Sequence, residues 1–356
     1  MKLLLVARRF PPDVRSGTET VFERLLAEAR NAGHDVRLVA GFTRDRALLP
    51  EGTVAVDLRG RGAAAWLAMP LAAAAEARRF KPDVVLSNSI EVRVPGVPTV
   101  TLVHDLNFGG SGAGAGARAR RLFYRGQAAG LSRVVAVSEA TRAALLTLGI
   151  APEKVVTIHN GVDLDRFSPA PRPPDKNVGL VQVSRILPGK GQHCTVDAVG
   201  RMRPDQREGL RVDIVGTVSD RIYADQLTVQ AWNLPILFHF DVADVAPFYQ
   251  RADIAAFPTR MPEGFGYAAV EAMACGLPVV AFSDPAVIEA TGGLAVIVPR
   301  DDVPALRDAI LRLARDADER QRLGAAGRAW VERYRWGGVW QAYERVLAGV
   351  VRQARR

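Results

Sequence analysis

The chain has 356 residues, of which 48% are apolar and 24% charged, and it contains two cysteines. This composition excludes a disordered chain and a disulfide-stabilised secreted domain, and the length suits two domains of about 150–180 residues each. The apolar run Leu3–Ala7 and the interrupted apolar segment 63–75 are both too short for a membrane span, and no signal-type cleavage region follows the first. We therefore expect a cytoplasmic protein.

The net charge of +9 is concentrated in the first half. Residues 1–170 carry 23 basic and 16 acidic side chains, a net charge of +7, whereas residues 171–356 carry 24 and 22, a net charge of +2. One interpretation is an anionic partner, such as a phosphorylated sugar, an acidic lipid surface or a nucleic acid. The other is a general preference for arginine on solvated surfaces, and the composition leaves both open.

Short β-branched runs alternate with helical patterns along the whole chain. In the first half the predicted strands are Lys2–Ala7, Asp35–Ala40, Asp83–Ser87, Val97–Val103 and Val134–Val137, and the predicted helices are Glu19–Ala32 and a helix capped by Ser138 that stops at Gly149. Alternating strands and helices indicate right-handed βαβ units around a parallel sheet.

A proline cluster at residues 169–174 predicts an extended linker, after which the alternation restarts. The predicted elements there are the strands Val178–Val183, Arg211–Val215, Asp253–Phe257 and Pro278–Ala281, and the helix Gly191–Met202. We therefore expect two Rossmann-like, doubly wound α/β domains, residues 1–168 and 175–337, that face each other across a cleft at the carboxyl ends of their strands. A terminal amphipathic helix, residues 338–356, is expected to pack back on the first domain.

The segment 257–278 carries the clearest chemical signal. A strand ends at Phe257, a loop holds Glu263 with Gly264 and Gly266, and a short helix follows. Glycines at a helix N-terminus let backbone N–H groups approach a phosphate closely. Glu263 and Glu271 would lie about 12 Å apart at a helical rise, too far to share a metal but suited to accept hydrogen bonds from two separate sugars.

Cations are expected beside this phosphate site. Arg185 and Lys190 follow the first strand after the linker, and a guanidinium and an ammonium both suit a diphosphate leaving group. The competing interpretation is a solvated arginine and lysine beside a turn.

These motifs resemble glycosyltransferase family 4, whose retaining enzymes have the GT-B fold. The resemblance rests on P-E-G-F-G-x4-E-A-M-A-C-G-x-P-V-V around Glu263 and Glu271, S-R-x4-K-G at residues 184–191, N-G-V-D at residues 160–163 and G-H-D-V at residues 33–36. It covers nearly the whole chain, with the motifs in the family's order. It implies a metal-independent transferase that needs no cofactor and uses a nucleotide-sugar as donor.

The resemblance also implies roles for individual residues. Glu263 would contact the donor sugar, Glu271 the ribose hydroxyls, and Arg185 and Lys190 the diphosphate. The remaining implied positions are the amides of Gly264, Phe265, Gly266 and Tyr267 at the diphosphate, Gly216, Asp241 and Val242 around the base, His104 opposite the donor sugar, and Gly17 near the phosphates. The family commonly has two glycines where this chain has Ser16-Gly17, and the segment 282–293 is shorter than the family's glycine-containing turn.

Three other signals point less directly to function. Asp163-Leu-Asp165 spells a metal-binding D-x-D pattern but lies away from the phosphate-binding strand ends, and scattered histidines and cysteines make a zinc site improbable. His104 is the one histidine at a predicted strand end beside the cleft, and structural roles are predicted for His159, His193 and His239. The glycine-rich loop 109–116 fits a mobile flap over the acceptor site, with the arginines after it binding an anionic acceptor or a membrane surface. It fits equally a loop that leads into a basic helix.

The sequence therefore predicts a retaining glycosyltransferase that uses a UDP-sugar, or second GDP-mannose. The expected acceptor is a hydroxyl of a cell-surface glycan or of a lipid-linked sugar, anionic in one interpretation, and the expected location is the cytoplasm with a peripheral contact at the inner face of the membrane. An absence of dedicated nucleophiles favours front-face transfer, in which the departing phosphate oxygen takes the acceptor's proton. The alternatives are a GT-B epimerase or phosphorylase, a transferase acting on a small natural product and, remotely, a nucleic-acid-binding protein. Basic residues are not interleaved with aromatic ones, so no nucleic acid is expected.

Overall fold

The computed structural model of the protein describes residues 1–11, 17–59, 65–104, 115–171 and 176–356. Within these ranges the chain divides into two compact units, one formed by Met1–Gly161 with Trp336–Arg356 and the other by Val162–Arg335. No helix in the described ranges is long and apolar enough to span a membrane. Each unit is a parallel sheet with helices packed against it.

The first unit contains a seven-stranded sheet within the described residues, in the order β3-β2-β1-β4-β5-β6-β7. Its strands are β1 (Lys2–Ala7), β2 (Asp35–Phe42), β3 (Val54–Asp57), β4 (Val84–Ser87), β5 (Thr99–Val103), β6 (Arg133–Ala136) and β7 (Val155–Thr157). All strand pairs are parallel, and Leu3 pairs with Val36 on one side and Val84 on the other. The predicted inner strands are thus confirmed, because long buried apolar runs form them.

The helices of the first unit follow the predicted alternation. They are α1 (Gly17–Asn31), α2 (Ala65–Phe80), α3 (Ala115–Ala129), α4 (Glu139–Thr147) and, after the second unit, α13 (Trp336–Ala354). The Ser138 hydroxyl accepts a hydrogen bond from Thr141 N at the start of α4, as predicted for an N-cap. The apolar stripe of α13 is buried in this unit against α1 and β4.

The second unit repeats the arrangement with a six-stranded parallel sheet within the described residues, in the order β10-β9-β8-β11-β12-β13. The strands are β8 (Val178–Val183), β9 (Leu210–Gly216), β10 (Ile236–Phe240), β11 (Ile254–Phe257), β12 (Val279–Phe282) and β13 (Val296–Val298). The helices are α5 (Gln192–Gly200), α6 (Pro204–Arg207), α7 (Arg221–Gln230), α8 (Ala246–Gln250), α9 (Tyr267–Ala274), α10 (Pro285–Ala290), α11 (Val303–Arg315) and α12 (Ala317–Val331). The order of strands reverses between β8 and β11, and ligands of such sheets bind at this switch point.

The boundaries of the two units differ from those expected at residues 168 and 337. Residues 162–171 belong to the second unit, because Phe167 is buried against Tyr249 and the Arg166 guanidinium pairs with Asp244 at 2.7 Å. The backbone N–H of Val162 donates to Tyr334 O at 2.8 Å, so the two segments that connect to the first unit run side by side here. Part of the expected proline linker, residues 172–175, lies outside the described ranges.

Candidate functional site

The switch point of the second sheet brings together the loops that follow β8 and β11. Ser184 and Arg185 follow β8, and its loop leads through Lys190 into α5. Gly216, at the end of β9, lies so close to this loop that a Cβ atom there would stand 1.7 Å from Ser184 O. Glycine is therefore required at position 216 to let the Ser184–Arg185 turn approach.

Lys190 and Glu263 form the central ion pair of this site. The Lys190 Nζ lies 2.5 Å from Glu263 Oε1, and each side chain is 13% exposed. The Thr259 hydroxyl donates to the same carboxylate oxygen at 2.8 Å. The two predicted residues, which lie in different loops, are thus held together by a charge-assisted hydrogen bond.

A second carboxylate, that of Asp284, also holds the Glu263 loop. Asp284, which is 2% exposed, accepts hydrogen bonds from Glu263 N at 3.3 Å and from two amides at the start of α10. The Arg300 guanidinium pairs with it at 3.3 Å. Sequence reasoning missed Asp284, although an Asp-Pro dipeptide directly after a strand is a recognisable start of a helix.

Arg185 and the start of α9 present the donors expected for a phosphate group. The Arg185 side chain is exposed, and it has no ion-pair partner within the described ranges. Gly266 begins α9 in the left-handed region, with φ +88°, and no side chain caps the helix. A helix N-terminus without a side-chain cap suits an anionic ligand. The expected separation of about 12 Å between Glu263 and Glu271 assumed helical geometry throughout. The helix begins only at Tyr267, so this value does not hold for the loop before it.

Glu271 lies inside α9, and Tyr249 of α8 contacts it. The Tyr249 hydroxyl lies 3.3 Å from Glu271 Oε2 and 3.2 Å from Ala268 O. Burial raises the pKa of the Glu271 carboxyl to about 7, and the charge of Arg166 and the hydrogen bond from Tyr249 oppose this effect. Tyr249 and Arg166 were not predicted, because only the folded chain brings them to Glu271.

The other residues predicted to contact the donor include Phe265, Asp241 and Val242, which lie in two loops of the second unit. Phe265 is buried with its ring against Tyr267 and Tyr334, so its side chain supports the loop. Asp241 has a left-handed φ of +54° and accepts from Val218 N at 3.1 Å, and Val242 follows it half-buried. This turn is beside Gly216, to whose carbonyl Asp241 N donates at 3.0 Å.

Two predicted residues, His104 and Gly17, belong to the first unit. His104 follows β5, its Nε2 is shielded from solvent without a hydrogen-bond partner among the described residues, and burial lowers its pKa to about 3. Gly17 is the first residue of α1. Ser16, Asp105 and most of the glycine-rich loop 109–116 lie outside the described ranges.

The D-x-D pattern is engaged in local contacts. Asp163 accepts from Arg166 N at 3.1 Å, and Asp165, 88% exposed, pairs with Arg335 at 3.2 Å. Throughout the described ranges, no three His, Cys, Asp or Glu side chains group in a way that could hold a metal ion. Cys194 and Cys275 are free, buried thiols.

Two Rossmann-like units of this kind define the GT-B class of folds, and solved structures agree. Similar structures include the Anabaena protein HepE in complex with UDP, with a TM-score of 0.80, 21% identity and coverage of 98% of this chain and 100% of that one. Sucrose-phosphate synthase from Thermosynechococcus elongatus has a TM-score of 0.79, 19% identity and coverage of 98% and 100%.

Sequence comparison then gives the family. Residues 15–166 match the family described as Glycosyltransferase Family 4, and residues 177–316 match the family described as Glycosyl transferases group 1. The chain thus contains a Glycosyltransferase Family 4 domain followed by a Glycosyl transferases group 1 domain.

The curated relatives are themselves glycosyltransferases by name. D-inositol 3-phosphate glycosyltransferase of Kineococcus radiotolerans is 33% identical over 59% of this chain and 55% of its own length. A GDP-mannose-dependent monoacylated α-(1-6)-phosphatidylinositol monomannoside mannosyltransferase of Corynebacterium glutamicum is 32% identical over 49% and 50%. The chain thus spans about half the length of the curated relatives it matches.

Proposed function

We propose that the protein is a retaining glycosyltransferase that moves a sugar from a nucleoside-diphosphate sugar to a hydroxyl acceptor. The observation that carries this proposal is the Lys190–Glu263 pair, which lies in the loops at the switch point of the second sheet, where Gly266 begins α9. An ammonium, an exposed guanidinium at Arg185 and an uncapped helix start are suited to stabilise a departing diphosphate.

The chemistry assigned to these residues is transfer on one face of the sugar. Arg185 and Lys190 would stabilise the negative charge that develops on the diphosphate, and Glu263 would accept hydrogen bonds from the donor sugar. The departing phosphate oxygen would take the proton of the acceptor hydroxyl, so the O–H and C–O(phosphate) bonds break as the new glycosidic bond forms. No metal or cofactor is required in this scheme. His104 and Gly17 keep the roles that the resemblance predicts.

The donor is proposed to be a UDP-sugar, with GDP-mannose second. The first choice is supported by the UDP bound to the similar protein HepE, and the second by the name of the Corynebacterium relative. Thermal-shift measurements with UDP, GDP and ADP test this, because a ligand that binds only the folded state raises the melting temperature. We expect UDP to give the largest rise, and no rise with any of the three would contradict the proposal.

The reaction itself is tested by following nucleoside diphosphate release from the donor with and without acceptor. We expect release that depends on acceptor and persists in EDTA, with the anomeric configuration of the donor retained in the product by NMR. Release without transfer, an epimerised donor or a sugar phosphate as product would support the other GT-B chemistries instead. Loss of activity in EDTA, restored by a divalent ion, would contradict metal independence.

The acceptor is proposed to be anionic or lipid-linked. The names of the relatives include inositol 3-phosphate and a phosphatidylinositol monomannoside, and the first half of this chain carries a net charge of +7. On α3, the exposed side chains Arg118, Leu122 and Arg125 follow at spacings of four and three residues and so share one face, with the exposed Phe123 beside them. Such a face suits an anionic lipid surface at the cytoplasmic side of a membrane.

Vesicle flotation tests this membrane contact. We expect binding to vesicles of phosphatidylglycerol and much weaker binding to phosphatidylcholine, and we expect the Leu122→Ser variant to bind less. Equal binding to both lipids, or to neither, would contradict the contact. A steep salt-dependent affinity for DNA would instead favour the nucleic-acid alternative.

A further inference from the structure

We propose that His193, Tyr223 and Gln192 form a directed hydrogen-bond chain that positions Arg185 for the diphosphate. The chain runs from the loop that carries Glu263, through α5 and α7, to the backbone of Arg185. It lies wholly in the second unit and rests on the proposed function of Arg185. The sequence predicts a structural role for His193, and this proposal gives it a positioning role at the candidate site instead.

The chain begins at Arg260, three residues before Glu263. The Arg260 Nη1 lies 3.3 Å from His193 Nε2, and its Nε pairs with Asp301. On the other side of the imidazole ring, His193 Nδ1 lies 2.8 Å from the Tyr223 hydroxyl oxygen, which also accepts from His193 N at 3.0 Å. Both ring nitrogens of His193 are therefore occupied.

The direction of each hydrogen bond follows from Arg260. A guanidinium only donates, so His193 Nε2 must be the acceptor and the ring proton must be on Nδ1. The Nδ1–H then donates to the Tyr223 oxygen, which already accepts the backbone N–H of His193. The hydroxyl proton of Tyr223 is thereby left to donate to Gln192 Oε1, at 3.4 Å.

The hydrogen-bond chain ends on the turn that carries Arg185. The Gln192 side chain is fully buried, and its Nε2 donates to Arg185 O and to Ser184 Oγ, both at 2.8 Å. These two bonds use both hydrogens of the amide, so the orientation of Gln192 fixes the turn. The Arg185 side chain is exposed and has no ion-pair partner in the part of the chain that the structure describes, so its backbone is what orients it.

The charges around His193 keep the hydrogen-bond chain intact near neutral pH. The groups that act on the ring are Arg260, Asp301, Asp197 on the next turn of α5, and Tyr223 of α7. Burial and the positive charge of Arg260 hold the pKa of His193 below its ordinary value, so the ring is neutral at pH 7. Burial raises the pKa of the Tyr223 hydroxyl to about 12, so it keeps its proton. Acid would protonate Nε2 against Arg260 and break the first link.

A double-mutant cycle separates positioning from a purely structural role. Binding of UDP, GDP and ADP is titrated calorimetrically for the wild type and for Tyr223→Phe, Arg185→Ala and the double variant. We expect Tyr223→Phe to weaken the best nucleotide about fivefold, as the loss of one hydrogen bond does, and to add almost nothing in the Arg185→Ala background. Tyr343→Phe, which removes a buried hydroxyl without a partner among the described residues, is the matched control and should bind as the wild type does.

His193 gives a second route if Tyr223→Phe does not fold. We expect His193→Ala to weaken binding about as much as Tyr223→Phe and His193→Asn to recover most of the loss, because an amide N–H replaces Nδ1–H.

The outcomes distinguish this inference from the proposed function. If no nucleotide binds the wild type, both fail. If Arg185→Ala weakens binding while Tyr223→Phe acts equally in both backgrounds, or while both His193 variants bind as the wild type does, only the inference is overturned.

Discussion

Glu271 titrates close to neutral pH, and this has a consequence for nucleotide binding. Burial raises the pKa of its carboxyl to about 7, whereas ribose hydroxyls donate to the ionised form. Binding therefore releases a proton wherever the free protein holds Glu271 protonated, and affinity falls as the pH drops below 7. Between pH 8 and pH 6 we expect a loss of about tenfold.

Calorimetric titration with the nucleoside diphosphate at both pH values, in buffers of different ionisation enthalpy, measures the affinity and the released proton together. Glu271→Gln is the control, with weaker binding that no longer changes over this range. An affinity that rises toward pH 6 would contradict the assignment of Glu271 to the ribose.

Variants of Lys190 and Glu263 distinguish the contribution of this ion pair to stability from its contribution to catalysis. Lys190→Met leaves the Glu263 carboxylate largely buried with Thr259 as its remaining partner, and we expect the free energy of unfolding to fall by about 1–3 kcal/mol. The same variant should lower kcat by about 10²–10³-fold, because the diphosphate loses one cation.

The double variant Lys190→Met/Glu263→Gln removes the unpaired charge, so denaturant unfolding should show stability restored while kcat stays low. Recovery of activity along with stability would mean that the pair is structural only.

At the residue scale, the sequence singled out the charged residues of the candidate site but not the residues that contact them in the fold. Glu263 and Lys190 were found because carboxylates and cations after strands are conspicuous. Thr259, Asp284 and Tyr249 were missed, because a threonine, a helix-capping aspartate and a buried tyrosine have ordinary structural uses, and only their folded contacts with Glu263 and Glu271 distinguish them.

Between elements, a close backbone contact constrains the turn from Lys190 into α5. Gly191 has φ +71°, and a Cβ atom there would stand 1.9 Å from Pro258 O, in the loop that leads to Glu263. Gly293 has the same φ but nothing within 4 Å of the position of a Cβ. Gly293→Ala should therefore cost only backbone strain of about 1–2 kcal/mol, whereas Gly191→Ala must also separate two loops of the site.

We expect Gly191→Ala to lower the melting temperature further than Gly293→Ala and to weaken nucleotide binding, which Gly293→Ala leaves unchanged. Thermal unfolding with and without nucleotide measures both effects. Equal losses in the two variants would show that the contact with Pro258 imposes no constraint.

The prediction of elements succeeded for inner strands and failed for edge strands. Nine strands were predicted, and they are the inner strands β1, β2, β4, β5, β6, β8, β9, β11 and β12. Within the described ranges, the strands that were missed lie at the edges of the two sheets and are β3, β7, β10 and β13. Inner strands are covered on both faces and so appear as continuous apolar runs, whereas edge strands are partly exposed, as β10 is, and their apolar pattern is interrupted.

At the scale of the whole molecule, the polypeptide returns to the first unit after the second unit. Helix α13 is therefore part of the core of the first unit. Leu347 of α13 is fully buried in the packing of this helix against α1 and β4. Leu347→Ala should therefore lower the stability of the first unit by about 2–5 kcal/mol. Hydrogen exchange should accelerate in β1 and α1 while the amides of β8 and β11 keep their protection. Arg345→Ala, at an exposed position of the same helix, is the control. Hydrogen exchange that accelerates equally in both units would contradict the division of the chain into two units.

The two units were predicted from composition and alternation, but the observed boundaries differ from the predicted ones. The proline cluster at residues 169–174 was the visible sign of a linker in the sequence, whereas the packing of Phe167 on Tyr249 assigns the segment before this cluster to the second unit. A contact of this kind joins residues 82 positions apart and has no local signature.

The most direct test of the proposed donor site is a crystal structure with the tightest-binding nucleoside diphosphate. We predict the diphosphate at the start of α9, within hydrogen-bond distance of Arg185 and Lys190, and the ribose hydroxyls on Glu271. A nucleotide bound in the second unit without contact to α9, Arg185 or Lys190 would contradict this prediction.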